Sequence, residues 1–185
     1  VRPLLKGEDV HRYYVITTNR VVIFPYKMVE GKAVLYGESE LKKLYPNGYS
    51  YLQECENILR NREKGHFNID GAWFQFGRKQ GISSAEEIKL VAPDISMGGN
   101  FALDLKGKFY QTTTIYGYIK HDNVKCSYKS LLALLNSHLC WWFMQNTGNV
   151  MANGYFRYKP AYINPFPLPS DETIIAAEPI IEPLV

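Results

Sequence analysis

The sequence lacks most of what a catalytic chain displays. It has no Gly-rich phosphate loop of the GxxxxGKS kind, no GxSxG nucleophile elbow and no HExxH pair. Its three cysteines, Cys55, Cys126 and Cys140, form no CxxC pair. Neither a disulfide framework nor a zinc site is signalled, and buried free thiols in a reducing cytoplasm are the plain reading. No apolar run approaches about 18 residues, so no membrane span is expected. The opening "VRPLLKGEDV" has neither a signal-peptide hydrophobic region nor an initiator Met, and reads as a chain cut from something longer. Charge of one sign is also scarce. The formal net charge of +3 is too mild an excess to argue for nucleic acid by itself.

What is present is a core. The 185 residues suit one domain, and the 46% apolar content excludes wholesale disorder. Aromatics reach 14%, with fourteen tyrosines, a residue that sits where one end is dry and the other wet.

The apolar pattern predicts mixed elements. "YYVITTNRVVIFPY", residues 13–26, reads as two strand-like runs with a turn at Thr18-Asn19-Arg20. A short helix is expected from Ser39, stopped by Pro46. "SYLQECENILRNRE" reads as a longer helix, N-capped by Ser50, with Tyr51, Leu52, Cys55, Ile58 and Leu59 as its apolar stripe. "IKLVAPDI" reads as a strand ended by Pro93, and "FALDLKGKFYQTTTIYGYI" as a hairpin turning at Lys106-Gly107-Lys108. "SYKSLLALLNSHLCWWFMQN" is the strongest helix, capped by Ser127 and stopped by Gly148, with Leu131, Leu132, Leu135, Leu139, Trp142 and Phe143 near one face. "GYFRYKPAYINPFPLP" is too rich in Gly and Pro for a helix, and residues 171–185 read as a frayed tail. Strands and helices mix without strict alternation. The expected fold is therefore α+β: a mixed or antiparallel sheet with a few packed helices, loop-rich, in a single domain.

Two apparent motifs dissolve on inspection. "APDIS" followed by "LDLKGK" only loosely mimics a nuclease pattern across Asp94 and Asp104, and Asp70 does not complete it; a Pro-Asp turn beside a hairpin explains it. "NPFP", residues 164–167, departs from the Asn-Pro-Pro-aromatic turn of amino-methyltransferases at Phe166, and no Gly-rich cofactor strand precedes it. His11, His66, His121 and His138 are scattered, with no second ligand at helical or hairpin spacing.

The basic and polar residues are more coherent. Arg2, Lys6 and Arg12 cluster at the start. Arg78, Lys79 and Gln80 follow an aromatic stretch, Lys106 and Lys108 tip the expected hairpin, and Arg157 and Lys159 interleave with Tyr155, Phe156 and Tyr158. Spaced Lys and Arg suit phosphates, and rigidly held Arg, Asn and Gln suit base edges. Solvated loops over an aromatic core would produce the same composition.

Several stretches together resemble the TaqI-like C-terminal specificity domain of type II restriction–modification proteins. "RPLLKGEDVHRY" looks like the family's opening and "VIFPY" its first strand motif. "YPNGYSYLQECENILRNR" resembles its P-x-x-x-x-Y-L … L-x-x-R helix, and "WFQFGRKQ" its Trp-x-x-x-Gly-Arg element. "KLVAPDIS", "FALD", "YQTTTIYGYI", "LLALLNSHLCWWFMQ" and "INPFPLP" follow in the family's order over roughly residues 1–170. "GKAVLYGESELKKL" and the tail after Pro169 match nothing in it. The resemblance implies a domain that grips double-stranded DNA and helps read a site. The partner it implies is an N-terminal domain of the same chain, which binds S-adenosylmethionine and methylates adenine at N6; no cofactor is expected in these residues, and no catalysis. The implied contacts are Arg2, Lys6, Arg12, Arg78, Lys79, Gln80, Lys106, Lys108, Arg157 and Lys159. Arg78 stays open between two roles: projecting towards DNA from a loop anchored by Trp73 and Phe76, or lying buried against Glu86 or Asp94. Two other classes compete. A carbohydrate-binding module would use exposed Tyr and Trp. A protein-docking module would use "CWWF", and would require Trp141 exposed with Trp142 buried.

Overall fold

The computed structural model describes residues 1–17 and 19–185. The turn read at Thr18-Asn19-Arg20 begins on a residue outside those described. The fold is mixed α+β, with small sheets of two or three strands and short helices. Within it the chain forms two compact units, Val1–Arg2 with Val21–Ala85, and Pro3–Arg20 with Glu86–Val185.

The first unit is built on an antiparallel hairpin, Tyr26–Val29 with Lys32–Leu35. Its two-residue turn places Glu30 at φ 49° and Gly31 at φ 74°, the left-handed pair that a tight hairpin with right-handed strand twist requires. Residues outside the stretches that carry the resemblance thus supply its second strand and the following helix, Glu38–Leu44. That helix starts with Glu38, after Gly37, rather than at Ser39. Pro46 then opens the next helix, Pro46–Glu54, as its first residue, where its missing N–H costs nothing. Ser50 consequently lies inside a helix and caps nothing. The expected long helix is broken into Pro46–Glu54, Glu56–Arg60 and Arg62–Gly65, and its stripe divides. Leu52 is buried and Leu59 packs beside the core, but Tyr51 and Ile58 face solvent. Leu41, Tyr49, Leu52, Trp73 and Phe74 form the core of this unit.

In the second unit the strand Lys89–Pro93 is buried along its whole length. It runs antiparallel to both neighbours, with Leu90 opposite Leu103 and Val91 opposite Gly117. Burial on both faces explains the apolar run Leu90-Val91-Ala92 that follows Lys89. Val91 packs with Leu5, Val10 and Ile115, while Leu90 and Ala92 point into a larger core with Phe101, Leu132, Met144 and Tyr158. The expected hairpin across residues 101–119 does not form. Ala102–Asp104 and Ile115–Tyr118 flank the central strand on opposite sides, and Tyr110-Gln111 pairs in parallel with Leu4-Leu5. The sequence separates these runs by a turn, but burial of Lys89–Pro93 on both faces wins.

The strongest predicted helix is two helices, Tyr128–Leu135 and His138–Thr147. Ser127 and Ser137 each cap one, accepting the N–H of Ser130 and of Cys140. Asn136 sits at the break, and its amide donates to the Phe101 carbonyl while its oxygen accepts the Phe101 N–H, both at 2.9 Å. That pairing imitates a strand partner and ties the break to the sheet. The break rotates the second helix, so Leu139 and Trp142 are exposed instead of lying with Leu131 and Leu132.

Residues 171–185, read as a frayed tail, are largely helix, Asp171–Ile181. Ser170 caps it, Ile174 enters the larger core, and the Glu178 carboxylate accepts the Ser127 N–H at 2.6 Å. Asp171 accepts the Lys125 N–H at 2.8 Å.

Among the described residues, the ion pair of Lys89 and Asp104 is fully buried. Lys89 Nζ lies 2.9 Å from Asp104 Oδ2, with side-chain exposures of 3% and 2%. Asp104 also accepts the N–H groups of Lys108 and Phe109. Asp104→Ala should therefore cost about 3–5 kcal/mol in urea unfolding, because the buried Lys89 ammonium loses its carboxylate counter-charge. A loss below about 1 kcal/mol would show that water reaches Lys89.

Asp9 is buried as well and accepts from the Lys6 N–H at 2.7 Å and from the Arg20 guanidinium. Burial pushes its carboxyl up, but those donors outweigh burial and hold it below its ordinary value. A depressed folded value stabilises the fold above the unfolded carboxylate value of about 3.9. That stability disappears as pH falls through the lower folded value. In acid titrations of stability, Asp9→Asn should flatten this part of the profile, and an unchanged profile would contradict the assignment.

Candidate functional site

The stretch "AWFQFGRKQG" is a buried base under an exposed tip. Trp73 and Phe74 are 0% and 3% exposed. Phe76 is half-buried, its ring 5.2 Å from Tyr26, and its N–H donates to the Tyr26 hydroxyl at 2.7 Å. Burial raises the pKa of that hydroxyl, which keeps it a neutral donor and acceptor. From this base Arg78, Lys79 and Gln80 reach solvent.

The arginine that works inside the scaffold is Arg62, not Arg78. Arg62 donates to the carbonyls of Leu59, Trp73 and Gln75 at 2.8–2.9 Å. Its guanidinium lies 4.4 Å from the Phe67 ring centroid. Arg78 is exposed and forms no ion pair among the described residues. Asp94, one of its two candidate partners, binds Arg157 instead, at 3.2 Å. The other, Glu86, accepts the Tyr110 hydroxyl at 2.6 Å. Arg2 is exposed in the same unit as the Arg78 loop.

The remaining basic candidates lie in the second unit. Lys6, Arg12, Lys106, Lys108 and Lys159 are exposed and Arg157 is half-buried. Lys6 and Asp94 line one shallow groove with Gly7 and Thr114. The Asp94–Arg157 pair brings Arg157 to the same place, and the Tyr158 N–H donates to the Asp94 carbonyl. Lys106 and Lys108 are not part of that cluster. Their turn hangs on Asp104, beside Lys89, at the other end of the central strand from Pro93 and Asp94. At about 3.4 Å per residue the two places are separated by roughly 14 Å. Gly107 makes that turn possible: it has φ +57°, and a Cβ there would fall 1.9 Å from the Glu86 carbonyl oxygen. Arg12 stands over the Tyr13 ring at 5.4 Å. Reasoning from sequence missed Asp94 and Thr114 as companions of the basic residues. The Pro-Asp turn was visible, but nothing local pairs it with Arg157.

Other chemistry is sparse. Among the described residues no group of three or more His, Cys, Asp or Glu stands where it would hold a metal, and no helix is long and apolar enough to cross a membrane. Burial pushes the thiols of Cys126 and Cys140 up to about 11 and about 12, so both stay protonated near neutrality. Cys55 is half-buried, less enclosed than expected. Trp141 packs edge-on against Phe156 at 5.2 Å while Trp142 is 60% exposed, the reverse of what the docking reading of "CWWF" requires.

Comparison with known proteins agrees with the motif order. The sequence profile of the TaqI-like C-terminal specificity domain family matches residues 2–168. Over 153 residues, 78% of this chain, the sequence is 27% identical to the type II restriction enzyme and methyltransferase RM.Eco57I of Escherichia coli. The chain spans 15% of the length of that relative.

The two arginines separate in stability. Arg78→Ala should change unfolding free energy by less than about 0.5 kcal/mol, as at other open surface positions. Arg62→Ala should lose about 1.5–3 kcal/mol, since it strips a charged donor from three carbonyls. Paired thermal melts check both, and a large loss at Arg78 would return it to the scaffold.

Proposed function

The chain belongs to the TaqI-like C-terminal specificity domain family, and from that premise we propose that it grips double-stranded DNA and helps read the target site for an adenine-N6 methyltransferase domain of the same protein. The observation that carries this reading is the Arg78-Lys79-Gln80 tip, exposed and unpaired with any carboxylate among the described residues, on a base made rigid by buried Trp73 and Phe74.

Physical chemistry divides the labour. Arg presents a planar fork that takes both major-groove acceptors of guanine, and Gln pairs with adenine in a similar way. A base-reading side chain gains from a fixed backbone, because less order must be imposed on binding. Lys is a flexible point charge suited to phosphate, and its contribution is counterion release. Arg78 and Gln80 are accordingly assigned to reading. Lys6, Lys79, Lys106, Lys108 and Lys159 are assigned to grip, with Arg2 and Arg12. Arg157 is held by Asp94 and takes the second reading position.

S-adenosylmethionine belongs to the methyltransferase domain in this proposal. The 185 residues contain no Gly-rich cofactor turn and no nucleophile constellation, and they do no chemistry alone. The reaction at the exocyclic amine requires the adenine to leave the stack, and the specificity domain would hold the flanking duplex while it does. A cytoplasmic location follows from DNA as the substrate.

The isolated chain should bind duplex DNA weakly, with a dissociation constant on the order of 10⁻⁴ to 10⁻⁶ M at physiological salt, and more weakly as salt rises. Within the full enzyme, Arg78→Ala should lose about 1–3 kcal/mol on the native site and relax discrimination at one base pair. Lys6→Ala or Lys159→Ala should weaken all sequences alike and lower the salt slope by about one unit each. Fluorescence anisotropy over a salt series reads all of these. No duplex binding at low salt, or methyl transfer by the isolated chain, would overturn the assignment.

A further inference from the structure

The first unit holds a cleft of about 340 Å³, lined by Arg2 but by none of the other basic candidates. This lies at the lower end of the roughly 300–1,000 Å³ typical of ligand clefts. Ile23, Leu41 and Leu52 make it apolar on one side, while Phe24, Tyr36 and Tyr45 add aromatic rings. Phe24 is held in place by Phe76 and Tyr26, at 5.8 and 5.2 Å between ring centroids. Tyr36 and Tyr45 meet edge to face at 5.7 Å. Tyr45 links two helices and is 51% exposed. Asn47, also lining the cleft, is exposed, and its amide makes no hydrogen bond among the described residues.

The chemistry of the lining selects a shape. An apolar side with aromatic rings favours a group whose faces are apolar and flat. A sugar fits poorly, because hydroxyls turned towards Ile23, Leu41 and Leu52 would lose water without gaining partners. A nucleobase presents two π faces and confines its donors and acceptors to one edge. The tyrosine hydroxyls and the Asn47 amide are of the type that reads such an edge, and stacking on tyrosine tolerates any base.

We propose that this cleft takes a single unstacked nucleobase. The proposal rests on reading the chain as DNA-binding and adds to it a site for a base outside the duplex stack, separate from the Arg78 tip.

The test is an NMR titration of the chain with adenosine 5′-monophosphate and thymidine 5′-monophosphate, with inorganic phosphate and maltotriose as controls. Both nucleotides should shift resonances of Tyr36, Tyr45 and Asn47, and neither control should. Tyr45→Ala removes a half-exposed ring and should weaken nucleotide binding roughly five- to hundredfold, the range that loss of one stacking partner supports. Tyr45→Phe keeps the ring and should bind within about threefold of the parent, since most of the affinity comes from stacking. No shifts, equal shifts with phosphate or maltotriose, or unchanged binding by Tyr45→Ala would each overturn the proposal. Duplex anisotropy on the same sample keeps the two readings apart. Duplex binding without nucleotide binding overturns the cleft alone, while failure of both removes the DNA reading with it.

Discussion

The buried pair of Lys89 and Asp104 is the constraint around which the second unit is arranged. An ammonium and a carboxylate that both leave water must stay together, since neither is tolerable alone. Their 2.9 Å contact sets the register of the central strand against Ala102–Asp104. The same carboxylate takes two further N–H groups and shapes the turn that presents Lys106 and Lys108. At the far end of the strand Asp94 holds Arg157. One buried strand therefore places basic side chains at both of its ends, by carboxylates acting on backbone and guanidinium.

In the first unit the equivalent tie is Arg62. It comes from the L-x-x-R end of one family motif and binds the backbone of Trp73 and Gln75 in another. Trp73 and Phe74 then have nowhere to go but the core. Rigidity is transmitted through hydrogen bonds to carbonyls, which do not depend on the side chains at Gln75, Arg78 or Gln80. Those positions are thus left open to variation while the loop keeps its shape.

Much of the element content was legible in the sequence. The buried strand before Asp94, the caps at Ser127 and the turn at Gly107 follow from local chemistry: apolar runs, hydroxyls that accept N–H groups, and a residue without Cβ. Helix boundaries were less legible. Pro46 both ends one helix and begins the next, and Asn136 breaks a strongly apolar helix because its amide finds Phe101, 35 residues earlier in the chain. The helix at Asp171–Ile181 formed where acidity suggested fraying, because Ile174 found a core and Glu178 found the backbone of Ser127.

By itself the sequence determined the family, the mixed fold class, and where the basic and amide side chains fall along the chain. These depend on residue type and order along the chain. Tertiary structure alone decided which arginine is scaffold and which is exposed, which carboxylate partners Arg157, and which tryptophan of Trp141-Trp142 faces water. Arg62 and Arg78 carry the same guanidinium. What separates them is whether folding brings backbone carbonyls within reach, and contacts between residues distant in sequence leave no local signature.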